Sequence, residues 1–234
     1  MNRLTRKELK KDKFAQEVGH TVEFLGEHRK QLVRYGGAAL AVIIVVAGLL
    51  YYNKRQHEVR QRELYSASQL MNAPISVTPV PGFQTFVNEA EKNQAVTKAF
   101  TSLASKYSGS DEGSIAQYYL GTIALAQGRV DDATKLLSQA AGSGNPDYAS
   151  VAKLALAEIY GNQGKTSEAE KLLRPLIASP TVLVSKEQAT ISLARLLASS
   201  NPGEARKLLE PLKAAQGVVG RAANGVLDEL AVAK

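Results

Sequence analysis

In 234 residues there is no cysteine and no tryptophan, and there are only three histidines. Each absence closes a class of chemistry. Without cysteine the chain has no thiolate nucleophile, and the lack is compatible with an oxidising compartment without establishing one. His20, His28 and His57 all lie before residue 73, so the long remainder holds no Ser–His–Asp or Cys–His nucleophile site. Their scatter gives no zinc constellation. No phosphate-cradling glycine loop is present either. Residues 164–166 read Gly-Lys-Thr, but the full pattern around them is missing. The carboxylates that stand out, Asp131, Asp132, Glu168, Glu187 and Glu204, fall at expected helix starts, where they complement the positive end of the helix dipole. The sequence therefore predicts no catalytic residue, no metal and no cofactor.

A nucleic-acid surface is also excluded, although the formal net charge is +7. Residues 1–34 carry nine basic and five acidic side chains, residues 53–72 carry four and two, and residues 73–234 carry sixteen and fifteen. The excess therefore lies on either side of one apolar run, where Lys and Arg meet anionic headgroups.

That run, YGGAALAVIIVVAGLLYY at residues 35–52, is eighteen residues without a charge. At 1.5 Å per residue it reaches about 27 Å, close to the thickness of a hydrocarbon core. Tyr35, Tyr51 and Tyr52 stand where an interfacial aromatic belt belongs. The sequence predicts an uncleaved transmembrane helix here, since 34 residues precede the run and no small-x-small site follows it. The preceding tail is expected to be cytoplasmic, and the 182 residues that follow form a long domain that crosses largely regardless of its charge. In a bacterium with two membranes the span would lie in the inner membrane and the domain in the periplasm.

Residues 1–34 read as a basic amphipathic tail, helical over residues 3–33, with Thr5 and Glu8 at capping-box spacing. Residues 53–72 lack Gly and Pro and read as a juxtamembrane helix. In residues 73–82, APISVTPVPG, three prolines predict a linker, with the next helix opening near Phe83.

Residues 83–234 are repetitive. SEAEKLLRPLIA at 167–178 returns as GEARKLLEPLKA at 203–214, eight of twelve positions being identical at a spacing of 36. A fixed period of this size marks a solenoid of helix pairs. One unit has Leu120, Gly121, Gly128, Ala133 and Leu137; the next has Leu156, Ala157, Gly164, Ala169 and Leu173. The third keeps Ala205 and Leu209 but has Ser192 and Ser200 in place of Leu and Gly, and an incomplete earlier unit contributes Ala99 and Leu103. Each unit is expected to be two helices of about a dozen residues joined by the turns QGRVD, QGKTS and SNPGE, with residues from 218 onward closing the array.

The Leu-Gly pair, the turn Gly and the later Ala and Leu resemble the tetratricopeptide repeat, whose usual period is 34. The fold class is then all-α, one N-terminal transmembrane helix followed by an α-solenoid of divergent tetratricopeptide helix pairs. The layout of basic tail, span, juxtamembrane helix and divergent repeats is similar to the YfgM-like family of inner-membrane tetratricopeptide proteins. That resemblance implies a non-enzymatic, chaperone-like adaptor ancillary to the Sec translocon, with translocon subunits, secretory client chains or periplasmic chaperones as partners. The alternative is a scaffold of another envelope machine, for cytochrome maturation, outer-membrane assembly or pilus biogenesis. In such repeats the first helices line a groove for extended peptide, and position-by-position transfer puts Tyr118, Thr122, Glu158 and Asn162 in it. The Lys and Asn cluster that clamps a terminal carboxylate in some repeats is not evident at these positions.

The orientation is open to a direct test. Protease added outside intact spheroplasts is expected to digest an epitope placed after residue 234 and to spare one placed before residue 1. The reverse pattern would overturn the assignment.

Overall fold

The computed structural model describes residues 29–232, which form nine α-helices and no strand. The helices are α1 Arg29–Met71, α2 Glu89–Lys106, α3 Asp111–Ala126, α4 Val130–Ala141, α5 Pro146–Asn162, α6 Thr166–Ala178, α7 Lys186–Leu197, α8 Pro202–Leu209 and α9 Gly217–Val232. Contacts divide the chain into Met1–Val59 and Arg60–Lys234, and α1 runs through the division. The amphipathic reading of the tail, including Thr5 and Glu8, falls mostly outside the described residues.

In the first unit, α1 carries an eighteen-residue window of mean hydropathy 2.1, none of which is buried. Leu40, Ile43, Ile44 and Leu50 all stand exposed. Length and composition are those of a helix able to cross a hydrocarbon core, in which all backbone groups must be satisfied within the helix.

The second unit starts with the last part of α1. Ala67 is buried with Val96, Phe100 and Leu103 of α2 and Ala116 and Leu120 of α3. Polar ties hold the same segment. Arg60 Nε donates to Glu112 Oε2 at 2.9 Å and Gln61 Nε2 to Glu112 Oε1 at 3.0 Å, and the Glu112 side chain is almost fully buried. Burial raises the affinity of this carboxyl for its proton, but the hydrogen bonds it accepts and the Arg60 charge outweigh that and hold its pKa below the ordinary value. Glu63 receives bonds from Lys106 Nζ at 2.7 Å and Tyr107 Oη at 2.9 Å.

Between α1 and α2 the structure corrects the expected start near Phe83: α2 opens six residues later, at Glu89. Phe83 is exposed, whereas Phe86 is buried and bridges Ile75. Phe86 N donates to Pro74 O, and Ser76 N donates to Phe86 O. The bridge keeps this stretch extended until Asn88, whose side chain accepts from Glu91 N at 2.8 Å while Glu91 accepts from Val87 N. This reciprocal capping fixes the start.

From α3 onward consecutive helices pack against each other, and the short turns within each pair make its two helices antiparallel. The first two pair turns share one geometry. Gly128 and Gly164 have φ of +74° and +72°, Arg129 N donates to Ala124 O and Lys165 N to Tyr160 O. These are the six-to-one bonds of a Schellman ending, which favours glycine in the left-handed region. The third turn lacks that glycine. There Asn201 N reaches Leu197 O and its side chain caps α8 by accepting from Glu204 N, with Pro202 in the first turn. The third pair also departs from the expected length, because α8 has eight residues and passes into a 3-10 turn at Glu210–Leu212. Pro211, which lacks an N–H, sits in that turn.

Packing within pairs runs through small residues. Ala133, Ala169 and Ala205 have 0% exposure, and Leu137, Leu173 and Leu209 beside them are fully buried. A Cβ on Gly121 would lie 2.7 Å from Leu137 Cγ, so α3 and α4 approach too closely for any side chain there. After the third pair, α9 buries Ala223, Val226 and Leu230 with Leu193, Leu197 and Leu209, and Arg206 donates to Leu230 O at 2.6 Å.

Two stability predictions follow from this packing, both read from thermal melts. Gly121→Ala should cost about 1–3 kcal/mol through overpacking, whereas Gly225→Ala, with nothing within 4 Å of its added Cβ, should stabilise α9 by about 0.5–1 kcal/mol. Equal effects would contradict the close approach. Glu112→Ala should cost about 2–3 kcal/mol by stripping Arg60 and Gln61 of their acceptor. Because the folded pKa of Glu112 is lowered, its contribution is present above 4.5 and is lost as pH falls through the lowered value. The gap between wild type and variant should therefore narrow below pH 4.5; a gap that widens there would refute the assignment.

Candidate partner-binding groove

The first helices of the three pairs, α3, α5 and α7, lie side by side, α5 touching both neighbours. They carry all four residues singled out from the sequence, but those residues do not form one site.

Tyr118 and Thr122 are one turn apart on α3. Tyr118 is half-buried and meets Tyr119 and Tyr148 edge-on, with ring centroids 5.4 and 5.6 Å away. Phe100 stacks on Tyr119 at 4.9 Å, and the Tyr119 and Tyr148 hydroxyls are 3.4 Å apart. Burial first, and then the neighbouring Tyr119 and Glu158, raise the Tyr118 pKa. Burial likewise raises that of Tyr148. These phenols stay protonated and present a rigid aromatic surface with hydrogen-bonding tips. The Thr122 hydroxyl is spent on its own helix, donating to Tyr119 O at 2.8 Å.

Glu158 and Asn162 stand one turn apart on α5, both exposed. Together with Ala157 and Gly161 they form one wall of a cleft of about 430 Å³. The opposite wall comes from α7, through Ser192, Arg195 and Leu196, and from Ser199 in the turn after it, and Leu173 of α6 closes the floor. The sequence reading did not anticipate the α7 wall. Its signal was visible, however, in the lost leucine of the third unit. In the 36-residue register, Leu120, Leu156 and Ser192 are equivalent. Leu156 is buried beside Leu137, filling the seam against the preceding pair. Ser192 lies beside Leu173, the counterpart of Leu137, and is too short to fill the same seam, which stays open as the cleft.

The cleft combines an apolar floor with an amide, two hydroxyls, a carboxylate and a guanidinium. Its volume suits two or three side chains of an extended segment. Among the described residues no group of three or more metal-ligating side chains occurs. The acidic residues noted at helix starts are found there: Asp131 and Asp132 in α4, Glu168 in α6, Glu187 in α7 and Glu204 in α8.

Comparison with known proteins agrees with this architecture. No curated protein and no solved structure matches the chain. A family model described as tetratricopeptide repeat-like domain matches residues 31–181, a region that takes in most of α1 and the helices through α6. With nearly two thirds of its length covered by that model, the chain belongs to the tetratricopeptide repeat-like domain family.

Proposed function

We propose that the chain is a membrane-anchored adaptor that holds other proteins beside a bacterial inner membrane, and that it is ancillary to the Sec translocon. Repeat domains of this family are protein-interaction modules rather than catalysts. The observation that carries the reading is the pairing, in one chain, of an apolar α1 window with no buried residue and a repeat array whose first helices expose an unfilled cleft. An apolar helix of this length is compatible with a single-pass anchor, and the basic residues on both flanks suit headgroup contact. The translocon assignment rests on the similarity of layout to YfgM-like proteins.

In this reading the tail is cytoplasmic and the repeats are periplasmic. Tyr118, Thr122, Glu158 and Asn162 belong to the face that meets clients, namely secretory chains and the chaperones that receive them. A face of tyrosine rings, hydroxyls, one amide and one carboxylate suits weak contact with many different segments.

Site-specific photo-crosslinking in native membranes tests the proposal. A photoreactive residue at His57 should capture translocon subunits, and one at Tyr118 or Asn162 should capture many different secretory chains, as identified by mass spectrometry. One dominant folded partner at all three positions would instead mark a dedicated scaffold of another envelope machine.

A further inference from the structure

The cleft between α5 and α7 has a charge arrangement that narrows what it accepts. On the α5 wall, the Glu158 carboxylate has no ion-pair partner among the described residues. On the α7 wall, the same holds for the Arg195 guanidinium, although both side chains line one cleft. The same cleft is lined by the apolar side chains of Ala157, Leu173 and Leu196. Two opposite charges on the two walls of a common cleft, each without an ion pair among the described residues, offer a carboxylate and a guanidinium to a segment that also finds an apolar floor.

We infer that this cleft takes an extended protein segment in which an aliphatic residue has a basic residue two positions to one side and an acidic residue two positions to the other, so that all three side chains share one face. The aliphatic group enters the gap left by Ser192, the basic residue meets Glu158 and the acidic one meets Arg195. Asn162, on the rim with an amide that both donates and accepts, suits the main chain of such a segment in either direction. Leucine at the equivalent position in the two earlier units plugs this seam from within the repeat array. In the third unit the plug comes from the partner. The inference rests on the adaptor reading, to which it adds the chemistry of the preferred segment.

The test uses the full-length protein in nanodiscs and eight-residue peptides with Gly-Ser flanks around Lys-Ser-photoleucine-Ser-Asp (hereafter Lys-photoleucine-Asp, the like-charged peptides being spaced in the same way), in both chain orders, because alternate residues of an extended chain share a face. Lys-photoleucine-Lys and Asp-photoleucine-Asp serve as comparisons. Adducts mapped by mass spectrometry should fall on the cleft residues of α5, α6 and α7, and the mixed-charge peptides should label about threefold better than either like-charged one, the range expected of exposed ion pairs. Arg195→Glu should make Lys-photoleucine-Lys the best probe, and Glu158→Lys should make Asp-photoleucine-Asp the best. Ser192→Leu should cut cleft labelling about tenfold or more by occupying the pocket for a leucine side chain. Its melting temperature should be unchanged or higher, because leucine is the residue that the register accommodates at Leu120 and Leu156. Cleft adducts indifferent to charge, or charge preferences unmoved by the two reversals, would overturn the inference. Adducts elsewhere on α3, α5 or α7 would also overturn it while leaving the adaptor reading intact. No adducts on the repeats, with no capture of secretory chains from Tyr118 or Asn162 in membranes, would sink both.

Discussion

Each second helix of the array meets its own first helix through an alanine with 0% exposure: Ala133, Ala169 and Ala205. On the facing helix of the first pair, an added Cβ at Gly121 would lie 2.7 Å from Leu137 Cγ, which shows how little room that seam leaves. The close approach is what lets Leu137, Leu173 and Leu209 be buried one turn further on, and their burial is the main apolar gain of each pair. It also explains why the turns are conformationally demanding. A pair this tightly packed must reverse within a few residues, and two of the three turns do so through a glycine at positive φ.

A solenoid built this way leaves apolar surface at its ends. The chain covers the two ends differently. At the start, Ala67 and its neighbours on α1 pack against α2 and α3, and the ties of Arg60 and Gln61 to Glu112 add direction to contacts that apolar packing alone would leave loosely specified. At the far end, α9 covers α7 and α8 with Ala223, Val226 and Leu230, and one arginine-to-carbonyl bond holds it. The interior of the array is thus repetitive and its two ends are individual.

Much of this was legible in the residues because it depends on local period. The 36-residue spacing, the alanine and leucine positions and the glycine turns are patterns that one helix pair imposes on its own sequence. The start of α2 had a local signal that the reading passed over, Asn88 followed three residues later by Glu91. What was not legible is the choice between the two phenylalanines before it, because the burial of Phe86 depends on a backbone bridge to Ile75, eleven positions away, and no local signal distinguishes it from the exposed Phe83. The Glu112 tie was hidden for the same reason, since its partners lie about fifty residues upstream. The candidate site was half legible. Glu158 and Asn162 follow from the repeat register, but Ser192 and Arg195 become wall residues only once α7 is laid beside α5. Ser192 was visible as a departure from the pattern; that the departure leaves a space rather than a loose helix is a consequence of Leu173 and Ala157 holding the seam around it.

The same rule that packs the array therefore also places its opening. Where leucine stands in the seam, at Leu120 and Leu156, it is buried, and where serine replaces it, a cleft of about 430 Å³ lies. Hydrogen–deuterium exchange on the full-length protein in nanodiscs, with and without a permanently unfolded client such as reduced, carboxymethylated lactalbumin, tests this account most directly. Protection concentrated in α5 and α7, with α4, α6 and α8 unchanged, is the result it predicts. Protection confined to the second helices, or spread evenly over all of them, would contradict it.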